Sequence, residues 1–88
     1  MVRWDKGKDE WLKKTRGVSF QEISDLILSG LYVDILENPK RPSQDLFVMW
    51  LHEYVWVVPF VLEPSGNIFL KTAYPSRKMH QRYGGKNA

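Results

Sequence analysis

The chain of 88 residues carries 13 lysines and arginines against 10 acids and contains no cysteine. A chain of this length has room for one domain with one core, and without cysteine it can form neither disulfides nor thiolate metal sites. The longest apolar run, residues 54–62, is too short to span a bilayer, and the N-terminus lacks the apolar core of a signal peptide. We therefore expect a cytoplasmic protein with no membrane partner.

The charges are segregated along the chain. Residues 1–16 hold six bases and three acids, residues 17–63 hold two bases and seven acids, and residues 64–88 hold five bases and no acid. Segregated positive charge raises the concentration of a polyanion near that part of the surface, whereas an evenly mixed surface does not. The basic C-terminal stretch therefore predicts a phosphate-binding edge.

The N-terminal part of the chain predicts a short strand followed by two helices. Residues 2–4 can pair with a sheet edge, and residues 6–16 are rich in helix-forming side chains up to Gly17. Ser19 begins a Ser-x-x-Glu capping-box pattern, which is followed by apolar side chains at helical spacing and by Gly30 as a stop. This pattern predicts the second helix.

Two adjacent strands are predicted in the middle of the chain, after a loop. Residues 37–45 contain two prolines and alternating charges, which is a loop composition, and from Asp45 the apolar side chains follow a period of two. Residues 54–62 are apolar almost throughout, as expected of a central strand covered on both faces. Pro59 cannot donate an inter-strand hydrogen bond, so it marks either a bulge or a point where the pairing switches.

A third strand and a basic helix end the predicted fold. The link His52-Glu53 is tight enough for a hairpin, and a turn over residues 63–67 leads to a strand over residues 68–73. Pro75 or Ser76 then begins a short helix that runs to about Tyr83 and is stopped by two glycines.

Three stretches carry a family resemblance: WDKGKDEWLKKTRGVSFQEISDLI, the apolar meander, and FLKTAYPSRK. The more specific positions are Trp4-Asp5, the run Lys13-Lys14-x-x-Gly17-Val18-Ser19-Phe20, and Glu22. In this order they resemble the BrnT-like branch of the RelE/ParE toxin superfamily, over roughly residues 3–83. Many relatives carry an Arg-Arg pair after the last strand, where this chain has Tyr74-Pro75-Ser76-Arg77-Lys78.

The resemblance implies a fold, an activity and a partner. The fold is a RelE-like α+β single domain over residues 1–85, ordered β-α-α-β-β-β-α, with a mostly antiparallel sheet packed against two N-terminal helices and a flexible tail at 86–88. The activity is that of a bacterial type II toxin, an endoribonuclease that cleaves mRNA and inhibits translation without a metal or another cofactor. The partners are an RNA substrate and a cognate DNA-binding antitoxin, and the expected assembly is either a homodimer or a toxin–antitoxin hetero-oligomer.

Metal-independent RNA cleavage needs a proton acceptor, a proton donor and cations for the charge of the phosphorane. The basic end of the chain offers such groups, with Lys71 and Arg77 suited to phosphate and the aromatic side chains to base stacking or proton transfer. The predicted catalytic residues are Lys71, Tyr74, Arg77 and His80, and the predicted nucleic-acid-binding residues are Lys78, Arg82, Tyr83 and Lys86.

The basic helix and His80 also have simpler, non-functional interpretations. A basic terminal helix is most often a solvated face, and a histidine without a neighbouring carboxylate is more often a surface residue than a catalyst. At the level of function, the alternatives are a non-enzymatic nucleic-acid or protein-binding module of the same fold and a ParE-like toxin with a protein target. The chain has no glycine-rich phosphate loop and no HxxxH or CxxC pair, which argues against nucleotide hydrolysis and zinc sites.

Overall fold

The computed structural model describes residues 1–84, which form an α+β fold with a six-stranded sheet. The strand order is β1-β5-β4-β3-β2, and β6 also pairs with β4. All pairings are antiparallel except that of β1 with β5, which is parallel. The elements are β1 (Val2–Trp4), α1 (Lys6–Arg16), α2 (Phe20–Leu28), β2 (Asp34–Glu37), β3 (Asp45–Leu51), β4 (Tyr54–Leu62), β5 (Ile68–Leu70), β6 (Tyr74–Pro75) and α3 (Arg77–Met79), which continues into a π-helical turn (His80–Gly84).

Local signals position the two N-terminal helices, as predicted. Asp5 caps α1 by accepting a hydrogen bond from the backbone N–H of Lys8 at 2.8 Å. Gly17 ends α1 with a φ of 69°, a left-handed conformation that glycine adopts at little cost. Ser19 caps α2, and both hydrogen bonds of the capping box are present. The chain therefore turns sharply between the helices.

The sheet is covered on both faces. Helices α1 and α2 pack on one face, against alternate side chains of β3 and β4. The intervening side chains, such as Val48 and Val55, are also fully buried, because the C-terminal helical segment lies over the second face, where Met79 and Val57 line the same hollow. The main core consists of Leu12, Val18, Phe20, Ile23, Ile27, Phe47, Met49, Leu51, Trp56, Val58, Phe60, Leu70 and Ala73.

Pro59 marks a switch in pairing, which is the second of the two predicted alternatives. The register between β3 and β4 is continuous along the whole of β3, so there is no bulge there. On its other edge, β4 pairs with β6 at residues 56–57 and with β5 at residues 60–62. The carbonyl oxygen of Pro59 accepts from the N–H of Lys71 at 2.8 Å. Because both backbone groups of a strand residue face one edge, the missing N–H of Pro59 faces the gap between β5 and β6.

The structure differs from the predicted element order in two strands. Strand β2 was not predicted, because its four residues include two acids and it gains its hydrogen bonds only from β3. The predicted strand over residues 68–73 ends at Leu70. Residues 71–73 pass the position of Pro59 on β4 outside the sheet, and the chain pairs with β4 again as β6. The predicted basic helix begins after its N-cap Ser76. The predicted tail at 86–88, with Lys86, lies outside the described residues.

No helix within residues 1–84 is both long enough and apolar enough to cross a membrane.

Candidate nucleic-acid interface

A cleft of about 550 Å³ lies at the end of the sheet where β3 begins. Four separate parts of the chain form it: helix α1, the loop between β2 and β3, strand β4 at Pro59, and the segment that follows β5. Four cationic side chains line this basic cleft, and no acidic side chain does so. The lining residues are Lys8, Asn38, Lys40, Arg41, Gln44, Pro59, Lys71, Thr72 and Tyr74.

A second hollow of about 270 Å³ continues the basic cleft on the other side of Tyr74. The two share Asn38, Lys40 and Tyr74 as lining residues, so they adjoin and form one continuous surface. Lys78 of α3 lines the second hollow and adds a fifth cation. We call this continuous surface the basic track; it includes one aromatic side chain, Tyr74, where the two hollows meet.

The loop over residues 38–44 holds its two cations in place through turns. The side-chain oxygen of Asn38 accepts a hydrogen bond from the N–H of Lys40 at 3.1 Å. The backbone carbonyl oxygen of Asn38 accepts one from the N–H of Arg41 at 3.3 Å. The carbonyl oxygen of Arg41 then accepts from the N–H of Gln44 at 2.9 Å. Side-chain-to-backbone bonds of this kind are typical of asparagine in turns. The loop thus presents adjacent cations from an ordered backbone.

The segment after β5 is anchored by its backbone, while its polar side chains remain exposed. The N–H of Lys71 is bound by Pro59, and the carbonyl oxygen of Ala73 accepts from the guanidinium of Arg16. Ala73 is fully buried, whereas Lys71 and Tyr74 are exposed. This arrangement fixes the backbone from which both side chains enter the basic cleft.

The structure brings together some of the sequence-predicted site residues and separates others. Lys71 and Tyr74 line the basic cleft, and Lys78 lines the hollow beside it. Arg77 and Arg82 are exposed and line neither of these hollows. The guanidinium of Arg82 lies 5.2 Å from the ring centroid of its neighbour Tyr83.

His80 packs the C-terminal segment onto the sheet. Its Nδ1 accepts from the N–H of Val55 at 3.2 Å, and its ring stacks on Tyr54 with the centroids 4.0 Å apart. Gly84 approaches the same imidazole so closely that a Cβ there would lie 2.9 Å from Nδ1. These contacts give the imidazole a packing role outside the basic cleft.

Tyr83 joins the C-terminal segment to the edge of the sheet. Its hydroxyl donates to Oδ2 of Asp34 at 2.8 Å, while Oδ1 of Asp34 accepts from the N–H of Ile35 at 2.8 Å. The hydrogen bond from Tyr83, with that from Ile35, holds the pKa of Asp34 below its ordinary value. The same bond raises the pKa of Tyr83, because ionisation of the phenol would place two negative charges together.

Sequence reasoning missed Lys8, Lys40 and Arg41 as members of the site. Lys40 and Arg41 are the two bases among the seven acids of residues 17–63, and they lie in a proline-containing loop. Two bases within an acidic stretch could have indicated a binding loop. A count of charges along the chain, however, does not show which loop folds against which segment. Lys8 also lies over the ring of Trp11, with its Nζ 4.2 Å from the centroid.

The chemistry of the basic cleft is that of a phosphate-binding surface. Ammonium and guanidinium groups neutralise phosphates, and a tyrosine between them offers a ring for stacking and a hydroxyl for hydrogen bonding or proton transfer. Within residues 1–84, no three His, Asp or Glu side chains come together as ligands for a metal ion. Comparisons with protein-family models, curated proteins and solved structures each found no match.

Proposed function

We propose that this protein is a metal-independent endoribonuclease that binds single-stranded RNA in the basic cleft and acts as a bacterial toxin of a type II toxin–antitoxin module. The observation that carries the proposal is the convergence of Lys71 and Tyr74 with Lys8, Lys40 and Arg41 around one cleft. Charges from three distant parts of the chain meet there, which a merely solvated basic helix does not require. The resemblance to BrnT-like toxins supports the same activity.

The proposed reaction uses the nucleophile that RNA carries. The 2′-oxygen forms a bond to the adjacent phosphorus while the bond from phosphorus to the 5′-oxygen breaks, which leaves a 2′,3′-cyclic phosphate and a 5′-hydroxyl. A proton leaves the 2′-hydroxyl and another reaches the 5′-oxygen, and Lys71 and Tyr74 are the candidate groups for these transfers. Lys8, Lys40 and Arg41 stabilise the additional negative charge of the phosphorane.

Induced expression in bacteria tests the proposal together with cleavage of purified RNA. The wild-type protein is expected to arrest growth and to cut RNA equally well with or without EDTA. The double variant Lys71→Ala, Tyr74→Phe is expected to cut more slowly by on the order of 10²-fold, because it lacks both proton-transfer candidates. Lys14→Ala removes an exposed cation that does not line the basic cleft and serves as the matched control. Full toxicity of the double variant would contradict the proposal.

One observation favours a second candidate function, which is RNA binding without cleavage. No carboxylate and no imidazole lines the basic cleft, so it lacks the side chains that most often act as general bases near neutral pH. A binding module is expected to bind single-stranded RNA with strong salt dependence and to leave it intact. Gel electrophoresis of RNA after incubation separates the two functions, since only the first yields fragments with cyclic phosphate ends.

The proposed antitoxin would act by covering the basic cleft and excluding RNA. Addition of the cognate partner is then expected to protect RNA and to restore growth. A toxin with a protein target such as a gyrase would instead induce the DNA-damage response while the bulk RNA remains intact.

A further inference from the structure

The chain from the last residue of α2 to the end of β2 exposes several large apolar side chains. Leu28 is 70% exposed, Leu31 is 63% exposed and Ile35 is 45% exposed. Large apolar side chains clustered at a surface are typical of interaction sites, whereas single ones need no explanation. We call the exposed apolar side chains of residues 28–35 the apolar patch; they are Leu28, Leu31, Tyr32, Val33 and Ile35.

The apolar patch borders an open edge of the sheet. Strand β2 pairs with β3 and, within residues 1–84, with no other strand. The N–H of Asn38 donates to the carbonyl oxygen of Gln44, in the same register as the pairing of β2 with β3. In an antiparallel ladder every second residue turns its backbone groups toward the partner strand, so Leu36 also faces β3. The backbone groups of Ile35 and Glu37 therefore face outward. Asp34 binds the outward N–H of Ile35 at 2.8 Å, which protects part of this edge.

The far end of β2 is acidic. Glu37 lies opposite Asp45 in the ladder, and the two carboxylates line a hollow of about 450 Å³ together with Asn38, Pro39 and Pro42. No basic side chain lines this acidic hollow, which shares Asn38 and Pro39 with the second hollow of the basic track and so borders Lys40. Strand β2 thus carries Ile35 of the apolar patch, outward backbone groups, and Glu37 of the acidic hollow, whose second carboxylate, Asp45, lies on β3.

We propose that the β2 edge binds an extended segment of a partner protein as an additional strand, with apolar side chains on the patch and a lysine or arginine in the acidic hollow. Strand addition supplies backbone hydrogen bonds, and the side chains supply selectivity. A second copy of this chain does not fit the acidic hollow, because β2 contains two acids and no base and therefore offers that hollow no cation when it pairs with itself. This inference is independent of RNA cleavage.

Two synthetic peptides test the proposal against the full chain. The first is the acetylated and amidated heptapeptide Lys-Thr-Val-Thr-Val-Thr-Lys, whose valines and lysines share one face of a strand as Ile35 and Glu37 do, and the second has glutamate in place of each lysine. Fluorescence anisotropy measures affinity, and amide chemical shifts in 15N spectra locate the site. The lysine peptide is expected to bind at least tenfold more tightly than the glutamate peptide, with the largest shifts in residues 34–38.

Variants separate the contributions of the patch and the hollow. The double variant Leu31→Ser, Ile35→Ser is expected to weaken binding of the lysine peptide at least fivefold. The double variant Glu37→Gln, Asp45→Asn is expected to reduce the preference for lysine over glutamate. Leu62→Ser is the matched control, because Leu62 is 65% exposed but lies on β4, away from β2, and it is expected to bind like the wild type.

Three results would overturn the proposal. They are equal binding of both peptides, shifts confined to residues outside 28–45, and unchanged affinity in the Leu31→Ser, Ile35→Ser variant. Sedimentation velocity adds a fourth, since a wild-type dimer that Ile35→Ser dissociates would identify the occupant as a second copy. Each variant is first compared with the wild type by thermal unfolding, and Ile35→Thr, which retains strand propensity, replaces any serine variant that does not fold.

Discussion

Asp9 is a buried carboxylate that joins the first two helices. Its Oδ1 accepts from the N–H of Phe20 at 2.8 Å, and its Oδ2 lies 3.1 Å from Nζ of Lys13. The N–H of Phe20 belongs to the first turn of α2, where helical partners are missing. The carboxylate therefore acts as a second, long-range cap in addition to Ser19.

We expect Asp9→Ala to destabilise the fold by about 1–3 kcal/mol, because a buried backbone N–H loses its partner. Urea denaturation followed by tryptophan fluorescence measures this change. Glu10→Ala removes a neighbouring exposed acid and is expected to change the free energy of unfolding by less than about 0.5 kcal/mol. Equal effects of the two substitutions would mean that the bond to Phe20 contributes nothing.

The pair Tyr83–Asp34 predicts a specific dependence of stability on pH. Because the pKa of Asp34 is lowered in the folded protein, its contribution to the free energy of unfolding is present above the pKa of this carboxyl in the unfolded chain, near pH 4. That contribution is lost as the pH falls through the pKa of the folded state. The raised pKa of Tyr83 means that its contribution is present below about pH 10 and is lost as the pH rises through the folded value.

Tyr83→Phe is therefore expected to lower the melting temperature between about pH 5 and pH 9, with a smaller difference from the wild type at either extreme. Thermal unfolding followed by circular dichroism across this range is the measurement. Tyr32→Phe removes an exposed hydroxyl elsewhere and serves as the control. A difference that stays constant from acid to alkaline pH would contradict a role for this hydrogen bond.

Secondary-structure elements followed from the sequence where their signals are local. The capping box at Ser19 and the left-handed glycine at position 17 act within a few residues, and both stand as predicted. Strand β2 gains its pairing from β3, whose partner residues lie about a dozen positions away, so no local pattern indicates it. The early end of β5 likewise depends on the pairing switch at Pro59.

The hairpin between β3 and β4 contains a local strain that a substitution can relieve. His52 and Glu53 have φ values of 53° and 64°, the left-handed pair required by a two-residue type I′ turn. Glycine adopts this conformation without the clash of a Cβ, so Glu53→Gly is expected to stabilise the fold by about 0.5–1 kcal/mol. Urea denaturation tests this.

The matched control for the hairpin is Glu53→Ala, which removes the same carboxylate but keeps the Cβ. It is expected to leave the free energy of unfolding within about 0.5 kcal/mol of the wild type. An equal gain from alanine and glycine would assign the effect to charge instead of backbone strain. His52 is retained in both variants, because its Nε2 lies 2.7 Å from Oε1 of Glu22.

At the scale of the whole molecule, charge is organised in space differently from the way it is ordered in the sequence. The sequence predicted a basic C-terminal edge, and Lys71, Tyr74 and Lys78 do lie on the basic track. The other half of this surface comes from Lys8 and the loop at residues 40–41, which no count along the chain connects with residue 71. The packing of His80 and Tyr83 against the sheet could not be predicted from the sequence either, because their partners lie more than 20 residues away in the chain.

The basic cleft predicts how RNA affinity responds to salt. Each phosphate contact contributes about 0.7 to the slope of log affinity against log salt for a single strand. Lys40→Ala, Arg41→Ala is therefore expected to reduce that slope by about 1.4, as measured by anisotropy with labelled single-stranded RNA at several salt concentrations. Lys14→Ala is the control. An unchanged slope in the double variant would exclude this loop from the phosphate contacts.

Strand β4 is paired along both of its edges and is covered on both faces over residues 55–60. Its amide hydrogens that bond to β3 or β5 can therefore meet solvent deuterium only when that neighbouring strand separates, and local fraying of α1 or β2 does not suffice. Exchange in β4 should be the slowest in the protein and should report the full free energy of unfolding, whereas β2 should exchange through smaller openings. The strand interrupted by a proline is thus expected to be the kinetically most protected part of the molecule.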